Sequence, residues 1–400
     1  PRLFDMIDAG ATGEVDSLKP ETDFKPVVDA CTFCDMCFMT KCPYVPPHEF
    51  NLDFPHLMLR YRAVEYAKGQ TPRIAEELTE TDRNGKLSRP VAPILNWAMK
   101  EDNALTRPMM EKTLGVDAKA VLPKYAGKPF TARAKEEIDI NRAAPAFGKR
   151  KVVLYATCFV NYHNPEIGTA ARKILAHNGV ESVVLYPECC GMPQLEQGNI
   201  DRVSGKAGRV AAMLEPYIDA GYDIVALVPS CALMLKFEWP LIEPDHKSVR
   251  KLSQSSFDIA EYIVDLSKKF GMAPGLRALA GGVSLHIACH ARAQNMGQKS
   301  AEMLRLIPGV DLAVTERCSG HGGSWGVMAE NFDIAVKIGK PVAKTMAGHV
   351  RDGGKKFIAS ECPLAGDHIV QGMSLLEGEN AVTGLSASHP IEILAMAYGF

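Results

Sequence analysis

The sequence carries almost no excess charge: 45 Lys and Arg stand against 47 Asp and Glu, a formal net charge of −2 over 400 residues. Such a balance gives no basic footprint for nucleic acid and no polybasic patch for an anionic membrane. Long apolar runs are missing as well. The stretch 224–235, among the longest, is interrupted by Pro229 and Ser230, and it falls well short of the roughly 20 residues that a membrane span requires. No positively charged start leads into an apolar segment, so the expectation is a chain without a signal peptide, at work in the cytoplasm. Neither a Walker phosphate loop nor a G-x-G-x-x-G fingerprint occurs, which argues against an NAD site in this chain. What is plentiful is cysteine. Eleven is a high and odd number, which argues against a closed disulfide framework, and a chain of this size needs none to hold a fold. Metal binding and redox chemistry are the remaining reasons to keep so many thiols.

Four hundred residues exceed one ordinary core, and the texture of the chain changes along its length. Residues 1–26 are polar, punctuated by Gly and Pro, and read as an arm. A helical pattern runs from about Phe54 to Ala67, with Leu57, Leu59, Val64 and Tyr66 interleaved with arginines. Residues 71–125 read as helical and irregular, and 126–149, without a clear apolar period, as a linker. From residue 150 short β-branched runs alternate with helix candidates: strands at 151–158, 181–186 and 223–228, helices at 166–178 and 200–220. The same texture returns with strands at 283–289, 310–314 and 356–362. Cys289 follows Cys158 by 131 residues, Cys318 follows Cys189 by 129, and Cys362 follows Cys231 by 131. Three pairs sharing one period read as an internal duplication. Each repeat reads as a parallel α/β unit, with cysteines where the strands end, the edge at which such sheets place ligands.

The N-terminal part holds Cys31, Cys34, Cys37 and Cys42 in the order C-x2-C-x2-C-x4-C, with Pro43 next. This is a bacterial ferredoxin run with one extra residue before its last cysteine. Two-residue gaps let one tight turn deliver three sulfurs, and the proline sends the fourth in another direction. A cubane [4Fe–4S] cluster suits the run better than a four-cysteine zinc site, whose C-x2-C pairs usually stand apart. Because the fourth cysteine of such a run commonly serves a second cluster, and the chain opens on Pro1 without a Met, a further quartet is expected upstream of Pro1. Met36 and Met39 read as apolar packing around the cluster.

Cys158, the adjacent Cys189 and Cys190 before Gly191, and Cys231 after Pro229 put four sulfurs on three loops of the first repeat. Followed by Cys289, Cys318 and Cys362 in the second, and preceded by a ferredoxin quartet, this pattern resembles the cysteine-rich (CCG) domain family of iron–sulfur oxidoreductases. That family includes the B and D subunits of heterodisulfide reductase and the C subunit of glycerol-3-phosphate dehydrogenase. The resemblance covers nearly the whole chain. It implies an α/β fold: a small helical ferredoxin-like [4Fe–4S] domain (1–125), the linker 126–149, and two duplicated Rossmann-like cysteine-rich domains (150–275 and 276–400).

Two departures matter. Heterodisulfide reductase repeats end C-x2-C, whereas here Met234 and Ala365 stand three residues after Cys231 and Cys362. The first repeat keeps four cysteines, enough for a [4Fe–4S] cluster. The second keeps three, since Ser319 replaces the paired cysteine, so one iron would need His286, His290, His321, Ser319 or a substrate. Cys318, His321 and His290 are therefore the candidate catalytic residues. The reading is an iron–sulfur electron-transfer subunit of an oxidoreductase, relaying electrons to or from a flavoprotein dehydrogenase, a rubrerythrin-like protein or a quinone-linked complex. Such a partner would hold it peripherally at the inner membrane, and neither NAD nor FAD would be bound in this chain. The alternative is a heterodisulfide or thiol reductase that binds substrate sulfur at an α/β site.

Overall fold

The computed structural model describes residue 8 and residues 19–37, 42–378 and 384–400. Most of the arm expected at 1–26, and Met39, lie outside them. Eight short strands follow a helical N-terminal stretch, and all of their pairings are parallel. β1 (Lys151–Tyr155), β2 (Glu181–Leu185), β3 (Asp223–Ala226) and β4 (Ser256–Asp258) form one sheet in the order β2-β1-β3-β4. β5 (Gly282–His286), β6 (Leu312–Thr315), β7 (Lys355–Ser360) and β8 (Ala387–Ser388) form a second in the order β6-β5-β7-β8. The fold is thus α/β, and the two strand orders correspond position for position.

Helices cover both faces of each sheet, which is why the strands are apolar throughout rather than alternating. Val152 and Leu154 of β1 enter one core and Val153 and Tyr155 the other. Between the sheets lie α2 (Pro165–His177), α4 (Ile259–Phe270) and α7 (Pro390–Tyr398), in a core that Val225, Leu285 and Ala359 join from both sides. α2 packs on α7, and α4 packs on the short helix Lys299–Leu304. The outer face of the first sheet is covered by α3 (Ile200–Asp219), through the stripe Val203, Ala207, Val210 and Leu214. α5 (Phe332–Arg351) and α6 (Pro363–Glu377) cover the second sheet through Val342, Met346, Ile369 and Met373. Each such side chain, fully withdrawn from water, contributes about 1.5–3 kcal/mol.

The N-terminal stretch lies against both α/β parts. α1 (Phe54–Ala67) begins where Asp53 accepts a hydrogen bond from His56 N at 3.2 Å, with Pro55 in its first turn. Its Met58 and Leu59 join the outer core of the first sheet. Further on, Asp117 N donates to Val327 O at 2.9 Å and Ala329 N to Gly115 O at 2.8 Å, tying the stretch to the second part. Residues 126–149 are irregular but firmly packed. Phe130 is wholly buried against α2, where Gly168 leaves room for its ring.

The registers set the position of the cysteines. Tyr155 stands opposite Leu185 and Ala226, so β1, β2 and β3 end level with one another. His286 likewise stands opposite Thr315 and Ser360. Cys158, Cys189 and Cys231 therefore leave one edge of the first sheet together, and Cys289, Cys318 and Cys362 leave the matching edge of the second.

Candidate functional site

None of the eleven cysteines forms a disulfide. Behind the first sheet, Cys158 opens a short helix after β1, Cys189 and Cys190 occupy the loop after β2, and Cys231 sits in the helix after β3. Cys189 Sγ lies 3.6 Å from Cys158 Sγ, and Cys190 Sγ 3.2 Å from Cys231 Sγ. All four thiols bear on Tyr155, whose phenol is pushed up first by burial and then by their charge. They therefore crowd around one point. Cys158 and Cys190 are pushed well up, each first by its hydrogen bond with Cys189, while Cys189 is held down, chiefly by the hydrogen bond with Cys158. Cys189 thus becomes a thiolate before Cys158 and Cys190 do.

The surroundings favour negative sulfur. Lys206, buried on α3, reaches Cys189 O at 3.4 Å and stands 3.6 Å from Asp82 Oδ2. Asp82, from the N-terminal stretch, accepts from Cys189 N at 2.9 Å and from the Tyr186 hydroxyl. Trp239 Nε1 donates to Cys190 O at 3.0 Å, and the Tyr155 hydroxyl to Glu188 O at 2.5 Å. These partners fix the carbonyls of Glu188, Cys189 and Cys190. Sequence reasoning missed Asp82, Lys206, Tyr155 and Trp239. Only Lys206 had left a signal, as the charged exception in an otherwise apolar helix stripe.

Among the described residues, no three His, Cys, Asp or Glu side chains are arranged to hold a single metal ion. An iron–sulfur cluster makes a different demand, because it places several irons and sulfides between its thiolates. Four buried soft sulfurs on one edge, without a carboxylate among them, suit such a cluster. Cys158, Cys189, Cys190 and Cys231 are the residues that would hold it.

Behind the second sheet, Cys289 opens the helix after β5, Cys318 lies in the loop after β6, and Cys362 caps α6. Cys289 is pushed well up, first by burial and next by the charges of Cys34, Cys362 and Cys318. Burial also raises Cys318, where Cys34 is again a thiol that weighs on it, and lifts Cys362 to about 11. Ser319, in the place of Cys190, turns its hydroxyl to His321 N at 3.4 Å.

Two of the candidate histidines have both ring nitrogens engaged. His286 meets Ser360 Oγ at 3.0 Å and Arg317 O at 2.9 Å. His290 meets Ser230 Oγ at 2.8 Å and Phe33 O at 3.0 Å. A carbonyl oxygen only accepts, so Nε2 carries the proton in each ring and Nδ1 accepts from the serine. Neither ring has a nitrogen left for iron. His321 differs: its Nε2 is buried without a hydrogen-bond partner, and burial holds the ring down at about 3, so it stays neutral.

In the N-terminal run, Cys31, Cys34 and Cys42 are half-buried and Cys37 is exposed. Cys42 N donates to Cys37 O at 2.8 Å, while the residues between 37 and 42 are outside the described set. Cys31 packs against the outer core of the first sheet, where Cys189, Cys190 and Cys231 also lie. Arg62 holds it there by donating to Cys31 O at 2.6 Å and Val28 O at 2.8 Å.

A parallel sheet whose strand-end loops gather free thiols is the hallmark of a cysteine-rich redox domain. Residues 152–236, the span from β1 to just beyond Cys231, match the family described as the cysteine-rich domain, CCG. The chain is 28% identical over 324 residues to the C subunit of anaerobic glycerol-3-phosphate dehydrogenase from Escherichia coli (strain K12), covering 80% of this chain and 76% of that one. It is 26% identical over 255 residues to the B subunit of fumarate reductase (CoM/CoB) from Methanothermobacter marburgensis, covering 62% of this chain and 46% of the relative. Lactate utilization protein A of Bacillus cereus (strain G9842) is 29% identical over 189 residues, 44% of this chain and 74% of that protein. No helix among the described residues is long and apolar enough to cross a membrane.

Proposed function

We propose that this chain is the iron–sulfur electron-transfer subunit of a dehydrogenase or reductase, and that the organic chemistry is done on a partner's cofactor. The observation that carries the reading is the gathering of Cys158, Cys189, Cys190 and Cys231 at one sheet edge, the last three of them buried, with Cys189 Sγ close to Cys158 Sγ and Cys190 Sγ close to Cys231 Sγ. When bound there, a [4Fe–4S] cluster supplies one-electron transfer at a potential set by burial and by hydrogen bonds near its sulfurs. Asp82 and Lys206 hold the Cys189 loop, the Lys206 charge favours its thiolate, and Trp239 orients Cys190. The N-terminal run supplies a further site from among Cys31, Cys34, Cys37 and Cys42. The matching strand orders support reading the α/β part as two duplicated Rossmann-like domains, 150–275 and 276–400, behind a helical iron–sulfur domain.

Two of the relatives are named as subunits, one of a dehydrogenase and one of a fumarate reductase. Those names support a similar role for this chain, at the side of a flavoprotein, a quinone-linked complex or a rubrerythrin-like partner. The loss of both C-x2-C ends weighs against direct disulfide reduction, and Met234, in one of those places, is wholly buried. The test is anaerobic purification with iron and sulfide assays and EPR of the reduced protein. Reduction should then follow addition of a flavoprotein dehydrogenase. Iron-free, zinc-loaded protein, or turnover with low-molecular-weight disulfides in place of reduction by a flavoprotein, would sink the proposal.

A further inference from the structure

The second sheet presents three thiols where the first presents four, because Ser319 stands where Cys190 stands in the first loop. His286 and His290 do not fill the gap, since both spend their ring nitrogens on protein partners, and His321, whose Nε2 is unpartnered, stands beside the His368 ring, 5.9 Å away between centroids. What reaches this edge instead is the N-terminal cysteine run. His290, the residue after Cys289, donates from Nε2 to Phe33 O at 3.0 Å. Thr32 closes on the loop that begins at Cys318, where its Cγ2 would lie 3.0 Å from a Cβ placed on Gly322. Residues 32 and 33 are thus gripped by both cysteine loops, and the next residue is Cys34.

The backbone around Cys34 is bent for a purpose other than a plain ferredoxin turn. Phe33 (φ 47°) and Asp35 (φ 55°) both adopt the left-handed conformation that non-glycine residues seldom take. Strain of this kind persists only where surrounding contacts impose it. Here Arg62 lies 4.7 Å over the Phe33 ring while its guanidinium holds Cys31 O. The two reversals separate the direction of Cys34 from that of its neighbours. Cys31 packs toward the first sheet, whereas Cys34 directly follows Phe33, whose carbonyl is held by His290, the residue after Cys289.

We propose that Cys34 is the fourth thiolate of the second centre, so that Cys34, Cys289, Cys318 and Cys362 form one four-sulfur site built across the N-terminal stretch and the second sheet. Runs of the ferredoxin type already divide their sulfurs between clusters, and here the division falls at the second cysteine. The centre is then closed by protein on all four sides rather than open to a substrate. Cys31, Cys37 and Cys42 remain for the N-terminal site.

The assignment rests on the iron–sulfur reading above, and the experiment separates the two. Cys34→Ala, Cys289→Ala and Cys37→Ala variants of the full chain are purified anaerobically, assayed for iron and examined by EPR. Cys34→Ala and Cys289→Ala should lose the same signal, their double variant losing no more, while Cys37→Ala loses a different one. Adding Ser319→Cys to Cys34→Ala should restore the second-centre signal by supplying a thiol from its own loop. If Cys34→Ala instead loses the signal that Cys37→Ala loses and keeps the one that depends on Cys289, the assignment is overturned. Thiol mapping of the metal-free chain with dibromobimane gives an answer independent of iron. Bridges from Cys34 to Cys289, Cys318 or Cys362 support the assignment even if iron proves absent, and bridges only to Cys31 or Cys37 refute it.

Discussion

Behind the first sheet all four sulfurs come from one continuous stretch, Cys158 to Cys231, while behind the second three come from Cys289 to Cys362 and a gap is left at Ser319. The strand orders match and the registers are level in both. The supports differ too. Asp82, reaching in from the N-terminal stretch, accepts from Cys189 N in the first part. In the second, Glu361 of the same part accepts from Ala288 N at 2.9 Å, and burial lifts its carboxyl to about 8, so it is neutral near pH 7. A shared scaffold therefore places loops alike without making the sites alike. A charged, self-sufficient site sits behind one sheet, and a site that borrows from elsewhere in the chain sits behind the other.

The sharpest way to break this contrast is to make the first loop resemble the second. Cys190→Ser should empty the first centre, with iron falling by about four atoms per chain on colorimetric assay. Unchanged iron would mean that the first site is not self-sufficient. Next in size is the glycine that follows Cys189-Cys190 in one loop and Cys318-Ser319 in the other. Gly320 (φ +80°) would place a Cβ 2.0 Å from Ala335 O, whereas at Gly191 (φ +90°) the nearest atom is Val203 Cγ2 at 3.3 Å. Gly320→Ala should destabilise the chain by about 3 kcal/mol or more and Gly191→Ala by about 1 kcal/mol, read from denaturant midpoints of the metal-free protein. Equal effects would show that the two loops are equally tight.

Asp82→Asn removes the anion that faces Cys189 N and Lys206. A cost of about 1.5–3 kcal/mol is expected, with the midpoint potential of the first centre moving and that of the second unchanged in a redox titration. The smallest effect is one of pH. His56 lies between Asp53 (2.7 Å) and Glu238 (3.0 Å), which raise it to about 10 against desolvation, with Asp35 also facing the cluster. A raised histidine stabilises the fold fully below its ordinary value of about 6.5, and the gain fades as pH climbs toward 10. Thermal midpoints should therefore fall gradually across that range in the native chain and stay flatter in His56→Gln.

Much of the frame was legible in the residues, and the gaps have physical causes. β1, β2, β3, β5, β6 and β7 were visible as β-branched runs. β4 and β8, with three residues and two, are too short to show any alternation. The helices after them were also missed, although each starts at a capping box, Asp258 with Glu261 and His389 with Glu392, which is a readable signature. The surroundings of the thiols were less accessible. Asp82 is 107 residues from Cys189, and Phe33 is 257 from His290. Spacing along the chain groups Cys34 with Cys31 and Cys37, and only the folded contacts draw it to the second sheet.

His290 bears on how the protein is made. Its two nitrogens join Ser230 of the first part to Phe33 of the N-terminal stretch, so it closes only when all three parts have met. A chain leaving the ribosome would complete the proposed ligands of the first centre at Cys231, with well over a hundred residues still to come. Those of the second are complete only at Cys362. An iron donor therefore meets two separate tasks, an early one on a half-built chain and a late one that waits for the far end. In the assignment proposed above, Cys34 would wait through the synthesis of more than three hundred residues before Cys362 completes its set.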